Sequence, residues 1–452
     1  MFAIKRGNIE KRMDVNYNSP QYSTIVDELQ KKFGSRLKTI GEIASVVCGP
    51  FGSTIKSSDY QDVPGIPLIR ITNISNDGYM DYSDLAYIDE RLGNTLSRTQ
   101  VSAGDIVISQ RGSLGQCAVV DNRFEKQNIS ANIIAIKHIS KTSASFIRDY
   151  LLSSIGKRML GRNISGQVQP KITTKDIENI PIPVGCDEKK LSFLLREARE
   201  NHIVKLQQAN YLLNSLRRYI LEVLHIRISQ YNFKLCSAVH LKDIKQDSTF
   251  SAEYYHPERM MAIQSLQSNS KLRVERLSAL VNFCREIVNS LESGEPYLGL
   301  SGVESQTGEL SGTIEEADGQ AFSYQENDIL YGRLRPYLNK VWWAEKSGIC
   351  STEFHVMRVK DKSTLLPEYL SEIMRSDLIL SQTKHMMTGN THPRISSKDV
   401  KNLCIPVPAI AIQRDIVKEI NSRRNQARCL RQEAEKEWTE AKAQFEKELL
   451  GE

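Results

Sequence analysis

The apolar residues of this chain follow two periodicities, one typical of strands and the other of helices. Short β-branched runs bounded by glycine and polar residues predict strands in each half of the chain. These runs lie at residues 105–109, 118–120 and 132–136 in the first half and at 328–331, 340–343 and 354–357 in the second. A helical pattern follows each set, at residues 145–160 and 367–383. The order predicts two α+β domains, each with a curled, mixed sheet.

Each half is followed by a long segment with a helical apolar seam. The first seam is Leu191, Leu195, Ala198, His202, Leu206, Ala209, Leu213, Leu216, Ile220 and Val223, and the second is Ile412, Ile416, Ile420, Arg423, Ala427, Leu430, Ala434, Trp438, Ala441, Phe445 and Leu449. Steps of three and four residues alternate, with one stutter after His202, which is typical of a coiled coil. We expect the two helices to pair antiparallel and to act as a ruler between the domains. The alternative is two amphipathic helices, each packed on its own domain.

The two halves resemble each other along their length, which indicates an internal duplication. Residues 2–5 and 13–20 align with residues 239–242 and 250–257, an offset of 237. The offset falls to 229 where residues 67–71 meet 296–300, and to 223 where residues 104–107 meet 327–330. A falling offset is expected when deletions accumulate in surface loops, which tolerate changes of length.

One repeated stretch ends each half. It occupies residues 167–183 in the first copy and 390–406 in the second, an offset of 223. In each copy a Thr or Ser is followed three residues later by Asp, which predicts the capped start of a short helix. Pro181 and Pro406 are expected to stop that helix.

Together these elements predict the architecture. We expect an α+β fold with two tandem domains that contain mixed β-sheets, separated by two long helices that form an antiparallel coiled coil. The expected boundaries are residues 1–185 for the first domain, 186–228 for the central helix, 229–408 for the second domain and 409–452 for the C-terminal helix.

Composition narrows the class of protein only a little. Of the 452 residues, 40% are hydrophobic and 25% charged, and the net charge of +6 tolerates a nucleic-acid partner without requiring one. No apolar run is long enough to span a membrane, and the first residues lack the apolar core of a secretory signal. The eight cysteines are dispersed, which favours reduced thiols in the cytoplasm over a disulfide or zinc framework.

The sequence lacks the usual catalytic motifs. It has no phosphate loop, no His-Glu-x-x-His zinc motif, no glycine-rich cofactor loop after a strand and no methyltransferase tetrapeptide. The acidic residues at 187–188 resemble part of a nuclease motif, but they lie where a helix is expected to begin and favour its N-terminus. We therefore predict no catalytic residue and no metal ligand in this chain, and we expect it to be a binding protein.

Duplex DNA is the partner that best suits two similar domains, because its sequence can be read at two separated points. Amide and imidazole groups can read base edges, and lysine or arginine can hold phosphate. Candidates in the repeated stretch are Gln167, Gln169 and Lys171 in the first copy and Asn390, His392 and Arg394 in the second. Further candidates follow predicted strands, namely Arg70, Asn73, Arg111, Ser113 and Gln116 in the first half and Arg333, Arg335 and Tyr337 in the second.

The whole pattern resembles the specificity subunit of Type I restriction-modification systems. The resemblance rests on residues 104–107, 171–183 and 394–408, and on Gln413 and Ile416 at the start of the last helix. It implies two target-recognition domains that each read half of a split duplex DNA site. It also implies a chain without activity or cofactor of its own. Methyltransferase subunits that use S-adenosylmethionine would dock on it, and an endonuclease subunit driven by ATP and Mg would join them.

Three alternatives stay open at this point. The chain could be the specificity subunit of a stand-alone methyltransferase or of another phage-defence assembly. It could be a structural scaffold whose domains bind protein, or an enzyme whose site has no recognisable motif. The first half also departs from the family pattern at residues 185–187, which lack the proline-rich entry of the second half, so the start of the first long helix is uncertain.

Overall fold

The computed structural model describes most of the chain. The described residues are 19–61, 65–163, 170–228, 238–241, 244, 250–267, 272–288, 297–313, 315, 319–387, 389 and 392–451. They form two compact units: unit 1 comprises residues 1–204 and 433–452, and unit 2 comprises residues 205–432. Each predicted long helix contributes to both units, a division that differs from the four successive segments expected from the sequence.

The described residues of unit 1 form three sheets. The strands are β1 (Leu37–Thr39), β2 (Ser45–Cys48), β3 (Tyr60–Gln61), β4 (Ile66–Ile69), β5 (Ala86–Ile88), β6 (Gln100–Val101), β7 (Ile106–Ser109), β8 (Cys117–Val119), β9 (Gln127–Ile129), β10 (Ile133–Lys137) and β11 (Pro181–Pro183). β1 pairs with β11, a four-stranded sheet has the order β2-β10-β7-β8, and a five-stranded sheet has the order β3-β5-β4-β9-β6. The parallel pair β4 and β9 makes the second of these sheets mixed.

Unit 2 repeats this arrangement. Its strands are β12 (Val274–Arg276), β13 (Val281–Cys284), β14 (Ile287–Val288), β15 (Tyr297–Leu298), β16 (Ala321–Tyr324), β17 (Ile329–Gly332), β18 (Val341–Trp343), β19 (Gly348–Ser351), β20 (Phe354–Val359) and β21 (Cys404–Pro406). β12 pairs with β21, and the two four-stranded sheets have the orders β13-β20-β17-β18 and β14-β16-β19-β15, with β15 and β19 parallel. The two-stranded sheets and the sheets β2-β10-β7-β8 and β13-β20-β17-β18 match, which supports the duplication predicted from the sequence, whereas the remaining sheets differ at their edges.

Most of the described helices also correspond between the units. Those of unit 1 are α1 (Pro20–Phe33), α2 (Ile40–Ile43), α3 (Glu90–Thr95), α4 (Ala144–Leu152), α5 (Ser154–Asn163) and α6 (Thr174–Glu178), followed by the long α7 (Glu188–Val223) that continues into unit 2. Unit 2 adds α8 (Pro257–Gln267), α9 (Leu277–Leu280), α10 (Pro367–Arg375), α11 (Asp377–Thr383) and α12 (Ser397–Lys401), followed by the long α13 (Ile410–Leu450).

The four-stranded sheet of unit 1 is buried on both faces, because its strands alternate between two cores. Ile106 and Ile108 on β7 face the helices and pack with Phe146 and Tyr150 of α4. Val107, on the opposite face of β7, belongs to the core shared with the five-stranded sheet. Burial of each such side chain stabilises the fold by about 1.5–3 kcal/mol. Unit 2 has the same alternation, with Ile329 and Tyr331 in one core and Leu330 in the other.

The residue pair before β7 (Gly104-Asp105) and its counterpart before β17 (Asn327-Asp328) each form a structural turn. Asp105 accepts a hydrogen bond from the backbone N–H of Ser102 at 3.0 Å, and Asp328 accepts one from Gln325 at 2.8 Å. Gly104 lies in the left-handed region (φ 90°), and its counterpart Asn327 adopts the same conformation (φ 72°). Asparagine is among the few residues with a side chain that tolerate this region, which explains why the glycine could be replaced in the second copy.

The single helices expected at residues 145–160 and 367–383 are each two helices. α4 ends before Ser153 and α10 ends before Ser376, and both serines have extended backbone conformations. Each hydroxyl donates a hydrogen bond of 2.6 Å to the carbonyl three residues earlier, of Tyr150 and Ile373 respectively. Serine side chains compete with the helical backbone in this way, so the break is local chemistry that an apolar pattern does not report.

The capped helices are confirmed, but their ends differ from the prediction. Asp176 N–H donates to Thr173 Oγ1 at 3.3 Å and Asp399 N–H donates to Ser396 Oγ at 3.1 Å, at the starts of α6 and α12. The helices end at Glu178 and Lys401, before the prolines that were expected to stop them. Pro181 and Pro406 instead lie in the short strands β11 and β21.

The long helices run antiparallel within each unit. In unit 1 Lys190 Nζ lies 2.7 Å from Glu448 Oε2, and His202 Nε2 lies 3.2 Å from Glu435 Oε1. In unit 2 the contacts between the two helices have the same sense, from Arg431 to Asn210 and from Arg423 to Ser215. The predicted antiparallel pairing is therefore confirmed inside each unit.

Most of the predicted seam is buried, with one clear exception. Leu191, Leu195, Ala209, Ile420, Ala434 and Phe445 are among the buried seam positions. Ile412 is 42% exposed, and the adjacent Gln413 is buried instead. Gln413 Nε2 donates to the carbonyls of Pro408 and Thr364, at 2.8 and 2.9 Å, and thereby fixes the start of α13. Hydrogen-bond satisfaction decides burial here, so the seam prediction was wrong at Ile412.

A buried acid–arginine cluster joins the long helix to the helical layer of each unit. Asp149 of α4 accepts hydrogen bonds from Arg199 of α7 and from Arg148 Nε, the latter at 2.9 Å. Glu372 of α10, 223 residues after Asp149, accepts hydrogen bonds from Arg424 of α13, at 3.1 Å, and from Arg375. Asp149 and Arg199 are 0% and 1% exposed, so removal of Asp149 would leave the buried charge of Arg199 without its carboxylate partner.

Candidate nucleic-acid interface

The turn between β7 and β8 presents polar side chains at one end of the four-stranded sheet of unit 1. Arg111 and Ser113 are exposed on this turn. Gln116, which ends the turn, is half-buried, and its amide donates a hydrogen bond to Asn76 Oδ1. Two of the three residues predicted here are therefore open to a ligand, and the third has a hydrogen bond within the protein.

The repeated stretch meets this turn. Ile172 N–H donates a hydrogen bond of 3.2 Å to the carbonyl of Gln110, the residue before Arg111. The half-buried Lys171 is thereby placed next to the turn. The two candidate surfaces that the sequence suggested separately are one surface in unit 1.

Unit 2 brings the same two segments together. Ile395 N–H donates to the carbonyl of Arg333 at 3.0 Å, and Ile395 and Arg333 each lie 223 residues after Ile172 and Gln110. Arg335 N–H also donates to the carbonyl of Pro393 at 2.7 Å. Arg335, Tyr337 and His392 are exposed around this junction.

The basic residue of the repeated stretch has a different partner in each unit. Arg394 forms a forked ion pair with Glu353, with Nε and Nη2 between 2.8 and 3.1 Å from the carboxylate oxygens. The hydrogen bonds from Arg394 lower the pKa of Glu353, and the same carboxylate raises the pKa of Arg394. In unit 1 the exposed Asn132 takes the place of Glu353, because its carbonyl accepts the equivalent backbone hydrogen bond.

Beneath the surface of unit 2 lies a buried histidine. His355 on β20 is 3% exposed, and its Nε2 lies 3.4 Å from the carbonyl oxygen of Ile395. Burial, reinforced by the nearby Arg333 charge, lowers the pKa of His355 to about 4. The imidazole is therefore neutral at physiological pH and belongs to the support of the surface. The register of the sheet places Ile134 at this position in unit 1.

Two predicted contacts after β4 do not suit a DNA-facing role. Asn73 is 1% exposed, and its amide donates to the backbone carbonyls of Asp81 and Asp84 at 2.9 and 3.0 Å. Arg70 pairs with Asp84 at 2.9 Å and also donates to the carbonyl of that residue. These side chains fold the loop that follows the strand. The prediction is therefore corrected for Asn73, whose polar atoms are not accessible to a ligand.

Several other candidates have a simpler outcome. Gln167, Gln169 and Asn390 lie outside the described residues, and their predicted roles stay predictions. Arg333 is half-buried and donates to the carbonyl of Thr352 at 3.2 Å. Sequence analysis did not identify Glu353 as part of this surface. Its pairing with Arg394 depends on the tertiary structure.

Three side chains of unit 2 have the donor types of a metal site. The nearest ligand atoms of His256, Glu258 and His385 all lie within 4.8 Å of one another. Lys384 Nζ, however, already lies 2.6 Å from Glu258 Oε1, and the two imidazole rings are stacked with centroids 3.4 Å apart. A metal would have to compete with the ammonium group and turn the rings. The prediction that this chain holds no metal is left untested.

Within the described ranges, no helix combines the length and the apolar character needed to cross a bilayer.

The fold and the site define a duplicated α+β protein with one equivalent polar surface in each unit. The family model described as the Type I restriction modification DNA specificity domain matches residues 34–190 and 290–432. The two matches cover more than half of the chain, and the chain belongs to this family.

The chain is also similar to individual known proteins, over different shares of their length. The specificity subunit of the Type I restriction enzyme EcoDI from Escherichia coli is 29% identical over 129 residues, a match that spans 27% of this chain and 28% of that relative. A solved structure concerned with assembly and conformational transition of the type I R-M system has a TM-score of 0.48 and 15% identity, with 92% of this chain and 97% of that chain covered. The S subunit of a Type I system from M. genitalium has a TM-score of 0.42 and 13% identity, with coverages of 91% and 95%.

Proposed function

We propose that this chain is the DNA sequence-specificity subunit of a Type I restriction-modification complex, and that each unit reads one half of a bipartite duplex site. One observation carries the proposal. In each unit the turn after β7 or β17 meets the repeated stretch through an equivalent backbone hydrogen bond, Ile172 to Gln110 and Ile395 to Arg333. Side chains that can contact bases or phosphates surround both junctions, and they differ between the copies.

The scaffold of the surface is shared, and its ligand-facing residues are not. Arg111, Ser113 and Lys171 stand in unit 1 where unit 2 has Leu334, Pro336 and Arg394, counted by the 223-residue offset. Arg335 and Tyr337 lie on the surface of unit 2 only. Two surfaces that hold different donors on one framework are suited to read two different half-sites.

Catalysis would belong to the partner subunits. The chain would position methyltransferase subunits that use S-adenosylmethionine, and an endonuclease subunit that uses ATP and Mg would join the complex in the cytoplasm. The chain itself would hold no cofactor. Family membership and the lack of catalytic motifs in the sequence support this division of labour.

Selection from a pool of random duplexes tests the proposal. The complex with its methyltransferase subunits should enrich a motif with two fixed halves and a spacer. Replacement of Arg111 and Ser113 by alanine should relax the first half only, and replacement of Arg335 and Tyr337 should relax the second half only. Affinity should fall steeply with salt because phosphate contacts release counterions. If both halves changed together with either pair, the model of two readers would be wrong.

The expectation that this chain is not catalytic can be tested separately. The purified chain incubated alone with S-adenosylmethionine and an enriched duplex should transfer no methyl group. If methylation occurred without partner subunits, the chain would be an enzyme. If the complex bound no duplex even at low salt, the role of a protein scaffold would replace the proposed function.

A further inference from the structure

Unit 1 exposes an aromatic side chain beside its polar surface. Phe51 is 87% exposed, in a loop that directly follows β2. A single exposed apolar residue is ordinary in a folded protein, so exposure alone carries no function. The hydrogen bonds that hold the loop and the residues around it indicate a role for this side chain.

The backbone on both sides of Phe51 is held in place. Gly49 N–H donates to the carbonyl of Ile133 at 2.8 Å, and Thr54 N–H donates to the carbonyl of Phe51 at 2.8 Å, which closes a turn. A Cβ atom on Gly49 would lie 2.1 Å from the carbonyl oxygen of Ser130, so this close approach requires glycine. The loop therefore presents its aromatic side chain to solvent from an ordered backbone.

Phe51 lies at the same end of the sheet as the candidate DNA surface. Gly49 contacts residues 130–133 from one side. On the other side, Gln110 N–H donates to the carbonyl of Asn132 at 2.8 Å, and Gln110 Oε1 lies 4.0 Å from Cys48 Sγ. The loop of Phe51 and the turn of Arg111 thus flank one short segment of chain.

The chemistry around Phe51 favours nucleic acid over an apolar partner. Lys56 and Arg111 are exposed cations, and the exposed residues that follow Phe51 in the loop, Gly52 and Ser53, carry no apolar side chain. A protein-docking surface has an apolar centre built from several residues. An exposed aromatic side chain with small neighbours can stack on a base or wedge between base steps, and exposed cations of the same unit can hold the phosphates.

The equivalent position in the described part of unit 2 is built differently. Val46 of β2 pairs with Ile136 and Phe283 of β13 pairs with Met357. Strands β2 and β13 therefore align with an offset of 237, by which Val288 corresponds to Phe51. Val288 is half-buried in β14, which pairs with β16. The segment that forms a strand in unit 2 is a loop with an exposed aromatic tip in unit 1.

We propose that Phe51 inserts against a base of the first half-site, either stacked on it or wedged at a base step, and so acts as a DNA-positioning residue of unit 1 alone. This inference rests on the proposed function. The contact would add affinity through its π-face and would depend little on the identity of the base. It would also distort the first half-site more than the second.

The test compares variants of the whole complex on the duplex that the wild-type complex enriches from a random pool. Phe51→Ala should weaken binding by about 5- to 100-fold, the range for loss of one base–aromatic stack. Phe51→Trp should retain most of the affinity because it keeps an aromatic face. Phe193→Ala, which removes a phenylalanine that is 54% exposed on α7, is the matched control and should leave binding unchanged.

A fluorescent base analogue locates the contact. When 2-aminopurine is moved through the enriched duplex, the wild-type complex should change its fluorescence at one position of the first half-site. The change should disappear with Phe51→Ala and persist with Phe51→Trp. No comparable change should depend on Phe51 in the second half-site.

The outcomes separate this inference from the proposed function. If the wild-type complex enriches a bipartite motif and Phe51→Ala binds it equally well with an unchanged 2-aminopurine signal, the inference is overturned and the proposed function stands. If Phe51→Ala loses its methyltransferase subunits on size-exclusion chromatography, Phe51 contacts protein and the inference is again overturned. If the wild-type complex enriches no sequence, the proposed function fails and takes the inference with it.

Discussion

The two units share a scaffold and differ in the electrostatics of their surfaces. In unit 1, Lys171 lies by the polar turn with Asn132 at the position opposite, and an exposed Phe51 stands nearby. In unit 2, Arg394 is neutralised by a forked pair with Glu353. The backbone hydrogen bonds that build the two surfaces are nevertheless equivalent. The two units therefore share the backbone hydrogen bonds of this surface and differ in the side chains exposed on it.

This contrast teaches where the constraints lie. Backbone hydrogen bonds can form with many different side chains. A buried ion pair accepts few substitutions, because a buried charge that loses its partner is strongly destabilising. We therefore expect the largest effects where the two units are most alike and smaller, opposite effects where they differ.

The strongest test concerns the buried clusters that the units share. Asp149→Ala should destabilise unit 1 by about 3–5 kcal/mol, because it leaves the buried Arg199 and Arg148 without their carboxylate. Hydrogen exchange measured by mass spectrometry should show faster exchange in unit 1. The exposed Glu200, next to Arg199 on α7, is the control, and Glu200→Ala should change stability by less than about 0.5 kcal/mol. Equal effects of the two substitutions would show that the cluster is not a shared structural constraint.

Mild acid should lower the stability of unit 2 more than that of unit 1, because the buried His355 lies in unit 2. Its pKa in the folded state is about 4, below the ordinary value of about 6.5, so the unfolded state binds the proton more readily. The stability that the neutral His355 contributes to unit 2 is fully present above pH 6.5 and is lost as the pH falls toward 4. Relative to His355→Leu, wild-type unit 2 should lose about 2 kcal/mol between pH 7 and 5. Urea midpoints at the two pH values check this, and parallel behaviour of both proteins would contradict it.

The charge difference at the two surfaces can be exchanged. Glu353→Gln should free Arg394 for phosphate and steepen the dependence of log affinity on log salt by about one unit. Asn132→Glu should oppose Lys171 and flatten that dependence by about the same amount. Titrations of the enriched duplex at several salt concentrations give both slopes. Glu326→Gln, in the turn at the far end of β17, is the control, and a change of equal size there would mean that only net charge matters.

The smallest expected difference concerns the capped helices. Thr173 N–H donates to Asp176 Oδ2 at 2.8 Å, and Asp176 is buried. Asp399 is half-buried and bonds the Ser396 side chain at 2.6 Å. Asp176→Ala should cost about 1 kcal/mol and Asp399→Ala about 0.5 kcal/mol. Local hydrogen exchange in α6 and α12 measures each cost, and a larger loss for Asp399→Ala would reverse the ranking.

Local patterns predicted the elements that depend on local chemistry. The strands at 106–109, 329–332 and 354–359 agree with the apolar runs to within one or two residues, and both long helices begin near the expected positions. The capped helices follow from Thr173 and Ser396, because a capping residue acts only on the turn beside it. The duplication itself could be read from the offset alone.

Features that depend on distant residues could not be predicted in this way. The helix breaks at Ser153 and Ser376, the burial of Asn73 and the exposure of Ile412 each depend on which hydrogen bonds the tertiary structure supplies. The pair of Glu353 and Arg394 joins residues 41 positions apart. A sequence shows that Arg394 is basic, but it does not show that a carboxylate already neutralises it.

The composition of unit 1 has a consequence for the order in which the protein is made. Unit 2 is one uninterrupted stretch, residues 205–432, but the core of unit 1 includes Trp438, Phe445 and Leu449 from the far end of the chain. A ribosome releases residues from first to last, so unit 1 is begun first and closed last. Until Trp438, Phe445 and Leu449 have been synthesised, the apolar core residues of unit 1 lack these packing partners. A chain cut after residue 432 would keep a complete second unit and leave the first one open.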